Sequence, residues 1–210
     1  MKIPPLIKPG DKIRIVSPAG KVKDEHVLPA VEWLQNQGYK VELGKHVFAN
    51  HFQFAGTDKQ RLDDLQTALD DPETAAIICS RGGYGTVRII SQTDFTKFVA
   101  NPKWLAGFSD ITILHACMNN LGVATIHGAM PRYFFDEKGN QNENLNTLMK
   151  LLTGEKVNYS VETAQTNRYG KVSGELIGGN LSIISSLQGT KYEIDTAGKI
   201  LFLEDIDEFL

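Results

Sequence analysis

The sequence is poor in three features that would each indicate a particular class of protein. It has two cysteines in 210 residues, Cys79 and Cys117, and both lie inside apolar runs, which predicts buried free thiols and no disulfide framework. Its net charge of −3 comes from interspersed acids and bases, so no basic patch indicates a nucleic-acid or anionic-membrane partner. No segment reaches the ~18 apolar residues that a membrane-spanning helix needs.

The N-terminus also lacks the form of a signal peptide. The opening MKIPPLIKPG carries prolines where a signal peptide has an unbroken apolar segment. We therefore expect a cytoplasmic protein in a reducing environment. There is no internal repeat and no low-complexity tract.

What the sequence does have is an alternation of short apolar strands with amphipathic helices. Strands are predicted at residues 12–17, 39–43, 75–79, 105–108 and 124–127, with helical spacing of apolar residues between them. Such alternation predicts right-handed βαβ units and an α/β fold with a mostly parallel sheet flanked by helices. In these sheets the working residues lie in loops at the carboxyl ends of strands, where Ser17, residues 81–85, Ser109 and His127 all fall.

The pattern changes after about residue 140. A last leucine-rich helix is followed by β-type segments at residues 157–161, 172–176 and 199–203. We predict an N-terminal α/β domain over residues 1–150 and the start of a smaller, β-rich α/β C-terminal domain over residues 155–210. The sequence stops soon after a strand without a closing helix, so we expect it to be part of a longer protein.

Ser109 is the candidate nucleophile. It stands in Gly107-Phe108-Ser109-Asp110, between a predicted strand and a helix, where a hydroxyl would project above the sheet and the helix N-terminus could stabilise an anion. The hydrolase signature G-x-S-x-G is not met, because Ile111 replaces the second glycine. Serine is also a preferred helix N-cap, and the motif alone leaves both interpretations open.

Two other strand ends carry candidate site residues. In SRGGYG, Gly82 and Gly83 follow a buried strand, which would let backbone N–H groups approach a ligand; the alternative is a simple tight turn. Glu204 ends an otherwise apolar strand and could orient a histidine, as the third member of a catalytic triad does. The acidic residues after it would be solvated or cap a helix.

No histidine is convincingly placed to serve as a base. His26, His46 and His51 show no metal-ligand spacing, which argues against a metal site. His115 lies six residues after Ser109 on the same helix and is expected to point away from it. His127 ends a strand near the site, but most residues at such a position belong to the turn.

Taken together, six motifs resemble those of the LD-carboxypeptidase family, serine peptidases that include muramoyltetrapeptide carboxypeptidases and microcin-immunity peptidases. The motifs, in the family's order, are IVSPAG, FAGTDKQRLDDLQTALDDPETAAIICSRGGYG, LAGFSDIT, IHGAM, IGGNL and ILFLEDIDE. The resemblance implies Ser109 as nucleophile and Glu204 as triad carboxylate, with Glu208 as the less favoured choice. It also implies oxyanion donors at the amides of Asp110 and of Gly82-Gly83, and a base on a Gly-His segment that these 210 residues do not contain.

The resemblance further implies hydrolysis of the amide between meso-diaminopimelate and the terminal D-alanine of murein tetrapeptide, in peptidoglycan recycling, with neither metal nor organic cofactor. Family members are commonly homodimers, and this chain without its base is expected to be inactive. Two alternatives stay open. One is a microcin-immunity peptidase that cleaves peptidyl or aminoacyl nucleotides, and the other is a non-catalytic peptide-binding module.

Overall fold

Five parallel strands form the central sheet of the computed structural model, which describes residues 1–206. The strands stand in the order β2-β1-β3-β4-β5. They are β1 (Lys12–Val16), β2 (Lys40–Leu43), β3 (Thr74–Cys79), β4 (Trp104–Gly107) and β5 (Ile126–His127). The five predicted strands are therefore all present, and the α/β fold with a parallel sheet is confirmed, although β5 has only two residues.

Seven helices connect or flank the strands. They are α1 (Asp24–Asn36), α2 (Asp58–Asp70), α3 (Thr86–Ile89), α4 (Thr96–Ala100), α5 (Thr112–Asn120), α6 (Glu143–Thr153) and α7 (Leu181–Leu187). The predicted capping box opens α2. The Thr57 hydroxyl accepts a hydrogen bond from the backbone N–H of Gln60, and the Gln60 side chain accepts one from the backbone N–H of Thr57. None of the helices in residues 1–206 is long and apolar enough to cross a bilayer.

The core lies on both faces of the sheet, which is why β3 is apolar along its whole length. One face packs Ile77 and Leu105 against α2 and α5, and the other packs Ile13 and Ile15 against α1 and α6. Cys79 and Cys117 are buried free thiols, as predicted. The strand order reverses between β1 and β3, and their carboxyl ends meet there through a 2.6 Å hydrogen bond between Ser17 Oγ and Ser80 Oγ. Such a reversal opens a crevice at the carboxyl edge of the sheet.

A separate two-stranded sheet follows. The strands β6 (Leu176–Asn180) and β7 (Ile200–Glu204) are parallel and are connected through α7. The strand predicted at residues 157–161 is absent, and of the segment predicted at residues 172–176 only Leu176, the first residue of β6, lies in a strand. Tyr159, Val161 and Val172 are 75–82% exposed, so local β propensity without burial is not enough to form a strand there. The proposed domain division at residues 150–155 stays a prediction.

Candidate active site

Ser109 occupies a strained position directly after β4. Its φ angle is +63°, one of only two positive values among the non-glycine residues in the described part of the chain. Its neighbour Gly107 leaves the room for this turn, since a Cβ there would lie 2.9 Å from the Ile111 side chain. Left-handed backbone at a non-glycine residue costs about 1–3 kcal/mol and is concentrated at functional sites.

The helix-cap interpretation of Ser109 does not hold. Phe108 is the N-cap residue of the 3₁₀ turn Ser109–Ile111, Ile111 is the N-cap of α5, and neither cap is made by a side chain. Within residues 1–206, the Ser109 hydroxyl makes no hydrogen bond. The hydroxyl is thus half-buried at a strand-to-helix corner and free to meet a substrate.

Gly82 lies against Ser109, as the oxyanion hypothesis requires. A Cβ at Gly82 would be 3.0 Å from Ser109 Oγ, and a Cβ at Gly83 would contact Gly20. The carbonyl of Gly82 accepts a hydrogen bond from the amide of Gly20, 3.2 Å away. In the described residues, neither the Gly82 amide nor the Gly83 amide donates a hydrogen bond to the protein. Gly82 therefore lies beside the hydroxyl, and the amides of Gly82 and Gly83 are both unpaired in the described residues.

Asp110 has its carboxyl group buried, not facing the crevice. One oxygen, Oδ2, accepts hydrogen bonds from the amide and the hydroxyl of Thr86, at 2.9 and 2.7 Å. Burial raises the pKa of Asp110, while these hydrogen bonds and the charge of Arg61 act in the opposite direction. The side chain is therefore structural, and only the Asp110 backbone amide can take part in chemistry above Ser109.

Glu204 and His127 lie side by side at the ends of β7 and β5. The distance from Glu204 Oε1 to His127 Nε2 is 3.8 Å, which allows electrostatic attraction but is too long for a hydrogen bond. Burial raises the pKa of Glu204 and lowers the pKa of His127, so each group favours its neutral form when unpaired. Glu204 Oε1 and His127 Nδ1 are buried and have no hydrogen-bond partner in residues 1–206. Glu204 thus keeps an acceptor available for an imidazole N–H.

The strand register brings this pair close to the serine corner. His127 is the register partner of Gly107, two residues before Ser109, and its ring lies 6.0 Å from that of Phe108. Cavities of about 470 and 380 Å³ border His127. The alternative carboxylate, Glu208, lies outside the described residues. No histidine among residues 1–206 is within hydrogen-bond distance of the Ser109 hydroxyl.

His115 is excluded as a base because both of its nitrogens are engaged. Nε2 lies 2.9 Å from the carbonyl oxygen of Gly107, and Nδ1 lies 2.8 Å from Thr125 Oγ1. Burial lowers the pKa of His115 to about 4. The ring is therefore a neutral imidazole that contacts the carbonyl oxygen of Gly107 at the end of β4. In the described residues, no group of three or more His, Cys, Asp or Glu side chains is placed to hold a metal ion.

Sequence reasoning missed several residues that build the site. Asn180 is buried at the end of β6. Its backbone N–H donates a hydrogen bond to Thr112 Oγ1, and its side-chain Nδ2 donates one to Asp205 Oδ1, each at 3.0 Å. This joins the small sheet to the start of α5, three residues beyond Ser109. The sequence signal that could have indicated the role of Asn180 is its position directly after two glycines at the end of a strand. Arg61, which is fully buried, carried no sequence signal.

Comparison with known families covers most of the chain. Residues 13–128 match the LD-carboxypeptidase N-terminal domain, and residues 173–210 match the LD-carboxypeptidase C-terminal domain. A protein of Bacillus subtilis described as "Probable murein peptide carboxypeptidase" is 36% identical over 208 residues. That alignment covers 98% of this chain and 65% of the Bacillus protein, so the chain spans about two thirds of its relative's length.

Two solved structures are similar to the whole fold. The muramoyltetrapeptide carboxypeptidase from Oxalobacter formigenes superposes with a TM-score of 0.81 at 31% identity, covering 94% of this chain and 66% of that one. The microcin C7 self-immunity protein in complex with aspartyl sulfamoyl adenosine superposes with a TM-score of 0.82 at 23% identity, covering 98% and 71%. The second likeness is one of fold alone.

Proposed function

The chain belongs to the LD-carboxypeptidase family, and from this we propose that the protein containing it is a serine carboxypeptidase acting on murein tetrapeptide. The observation that carries the proposal is the serine corner: an unpaired hydroxyl on strained backbone, in contact with Gly82, in a loop where the Gly82 and Gly83 amides are unpaired. A tight turn of purely structural use needs neither a strained serine nor unpaired amides.

The proposed reaction is acyl transfer to Ser109 followed by hydrolysis. Ser109 Oγ attacks the carbonyl carbon of the amide between meso-diaminopimelate and D-alanine, and its proton passes through a histidine base to the leaving amine. A water molecule then attacks the acyl-enzyme and releases the tripeptide. The amide of Asp110 and those of Gly82 and Gly83 would donate to the oxyanion, which is the largest single contribution in many acyl transfers.

Glu204 is proposed as the carboxylate that orients the base. The buried acceptor at Oε1 is suited to receive the Nδ1–H of an imidazole, which fixes the tautomer and leaves the other nitrogen facing the serine. The base itself is proposed to come from outside these 210 residues, because no histidine in the described part of the chain contacts Ser109. No metal or organic cofactor is required for this chemistry.

We favour a murein peptide over a nucleotide conjugate as substrate. A protein named as a probable murein peptide carboxypeptidase at 36% identity and a muramoyltetrapeptide carboxypeptidase structure at 31% support this choice, whereas the self-immunity protein resembles this chain at 23% identity, which supports a shared fold only. A non-catalytic peptide-binding module would have no use for Glu204 Oε1, a buried acceptor without a hydrogen-bond partner in the described residues.

The experiment uses the full-length gene product that contains this sequence. D-alanine release from murein tetrapeptide is measured for the wild type, for Ser109→Ala and for Ser91→Ala, an exposed serine that serves as the matched control. Loss of a triad nucleophile costs about 10⁶ in kcat, so Ser109→Ala should be inactive while Ser91→Ala keeps wild-type activity. A Ser109→Ala enzyme with a tenth of the wild-type rate would refute the mechanism. Release of an amino acid from a peptidyl nucleotide, but not from tetrapeptide, would favour the microcin-immunity alternative.

A further inference from the structure

The two sets of proposed oxyanion donors come from segments far apart in sequence. Gly82 and Gly83 lie in the loop after β3, and Asp110 follows β4. An oxyanion site works only if its donors stay within a few tenths of an ångström of the productive geometry. Some contact must therefore hold the loop of residues 81–85 against the serine corner.

The Asp110 carboxylate makes that contact. It belongs to the residue that supplies one donor, and it accepts both the amide and the hydroxyl of Thr86, the residue directly after the glycine loop. The Asp110 side chain is 1% exposed and Thr86 is fully buried, so water does not compete for these hydrogen bonds. Hydrogen bonds to an ionised carboxylate are stronger than those between neutral groups.

Arg61 fixes the same loop from the other side. Its guanidinium is fully buried and donates to the carbonyl oxygens of Gly85 at 2.7 Å and Pro18 at 2.6 Å, and it pairs with Asp58. A Cβ at Gly85 would lie 2.6 Å from Arg61 Nη1, so the loop and the guanidinium are in close contact. The Gly85–Thr86 peptide is thus held at its carbonyl by Arg61 and at its amide by Asp110.

We infer that the Asp110 carboxylate and Thr86 are positioning residues that hold the Gly82-Gly83 amides in register with Ser109, with Arg61 bracing the loop. This rests on the proposed function, because it assigns a purpose to the geometry of an oxyanion site. The side chains touch neither substrate nor reacting atoms. They act through the backbone of residues 82–86.

The test removes one hydroxyl from the full-length gene product. Thr86→Val keeps the shape of the side chain and the amide hydrogen bond to Asp110 but loses the hydroxyl one, which Thr86→Ser keeps. Thr93→Val is the matched control, since the Thr93 hydroxyl donates to the carbonyl oxygen of Ile89. Small misplacements at a site cost up to about 10²-fold in rate, so kcat of Thr86→Val should fall about 10- to 100-fold with KM nearly unchanged. Affinity for a peptide boronic acid, which mimics the tetrahedral intermediate, should fall in parallel.

A second measurement does not depend on catalysis. Amide hydrogen exchange of peptides covering residues 80–86 should be faster in Thr86→Val than in the wild type, and Thr86→Ser should restore both exchange and kcat. Wild-type exchange in Thr86→Val would overturn the inference, and so would an equal loss of kcat in Thr93→Val. The proposed function would instead be refuted if the protein releases no D-alanine, or if its Ser109→Ala variant stays active. In either case the exchange measurement still decides whether Asp110 and Thr86 hold the loop.

Discussion

At the scale of single residues, the account depends on side chains whose polar atoms have no partner. Ser109 Oγ has no hydrogen-bond partner within residues 1–206, and Glu204 Oε1 is buried without one, although buried polar atoms are satisfied in most proteins. Each is therefore expected to find its partner in a bound substrate or in a group outside the described residues. Asp110 is only half satisfied, because Oδ2 accepts two hydrogen bonds from Thr86 while Oδ1 is buried with no partner in the described residues.

Glu204 gives the sharpest prediction among the carboxylates. In the full-length gene product, Glu204→Gln keeps the size of the side chain but presents an amide donor to the imidazole, which favours the wrong tautomer. By analogy with triad aspartates, kcat should fall roughly 10⁴-fold with little change in thermal stability. Glu208→Gln is the matched control and should cost far less. Steady-state kinetics with tetrapeptide decides the ranking, and the reverse order would assign the role to Glu208.

His115 predicts a loss of stability in acid. In the folded protein its pKa lies at about 4, below the usual 6.5 of a histidine, because burial disfavours the imidazolium. Between pH 6.5 and about pH 4, His115 is protonated in the unfolded chain but stays neutral in the folded chain. The free energy of unfolding therefore falls as the pH is lowered through this range. One pKa unit corresponds to about 1.4 kcal/mol, so this residue alone should remove about 3 kcal/mol. Urea unfolding from pH 7 to pH 4 should show a shallower fall in His115→Gln; equal slopes would contradict the assignment.

At the scale of elements, the loop between β3 and α3 determines whether the serine corner can work. Gly82 has no positive φ angle, so an alanine there would meet no backbone strain. Its Cβ would instead lie 2.9 Å from Ser109 Cβ and 3.0 Å from Ser109 Oγ, so the loop and the serine corner would have to move apart. The cost of Gly82→Ala should therefore appear in catalysis, because this movement changes the position of the loop relative to Ser109.

We accordingly expect Gly82→Ala to lower kcat by about 10²- to 10³-fold, comparable with the loss of one oxyanion donor. Gly170→Ala is the matched control, because a Cβ at Gly170 meets no atom within 4 Å. D-alanine release and thermal unfolding are measured for both variants. Wild-type turnover in Gly82→Ala would show that this loop does not approach the reacting atoms.

The elements also show how far the sequence alone leads. The parallel sheet and the capping box of α2 were predictable because periodicity and capping residues act locally. The strand predicted at residues 157–161 and most of the one predicted at residues 172–176 did not form, because a strand needs neighbours that propensity cannot supply. The Asp110–Thr86 contact spans 24 positions and Asn180–Thr112 spans 68, so neither could be derived from spacing.

At the scale of the whole molecule, the 210-residue chain should fold in its larger part but lack turnover. The five-stranded sheet has cores on both faces, whereas Ser109 has no base among the described residues. A serine hydroxyl at neutral pH is a poor nucleophile without an adjacent base. We expect cooperative thermal unfolding but no D-alanine release from this chain, assayed beside the full-length gene product. Comparable release by both would make His127 the base, which a His127→Gln variant would then confirm by losing activity.

Ser109 is proposed to become covalently acylated during turnover, and peptide mapping after reaction with a serine-directed electrophile tests this proposal. The full-length gene product is treated with a fluorophosphonate, digested and analysed by mass spectrometry, with Ser109→Ala treated in parallel. Ser109 is strained, unpaired in the described residues and in contact with Gly82, so it should be the single modified residue. Modification should abolish D-alanine release, and the variant should stay unlabelled. An active enzyme that remains unmodified, or that carries the label on another residue, would contradict the account.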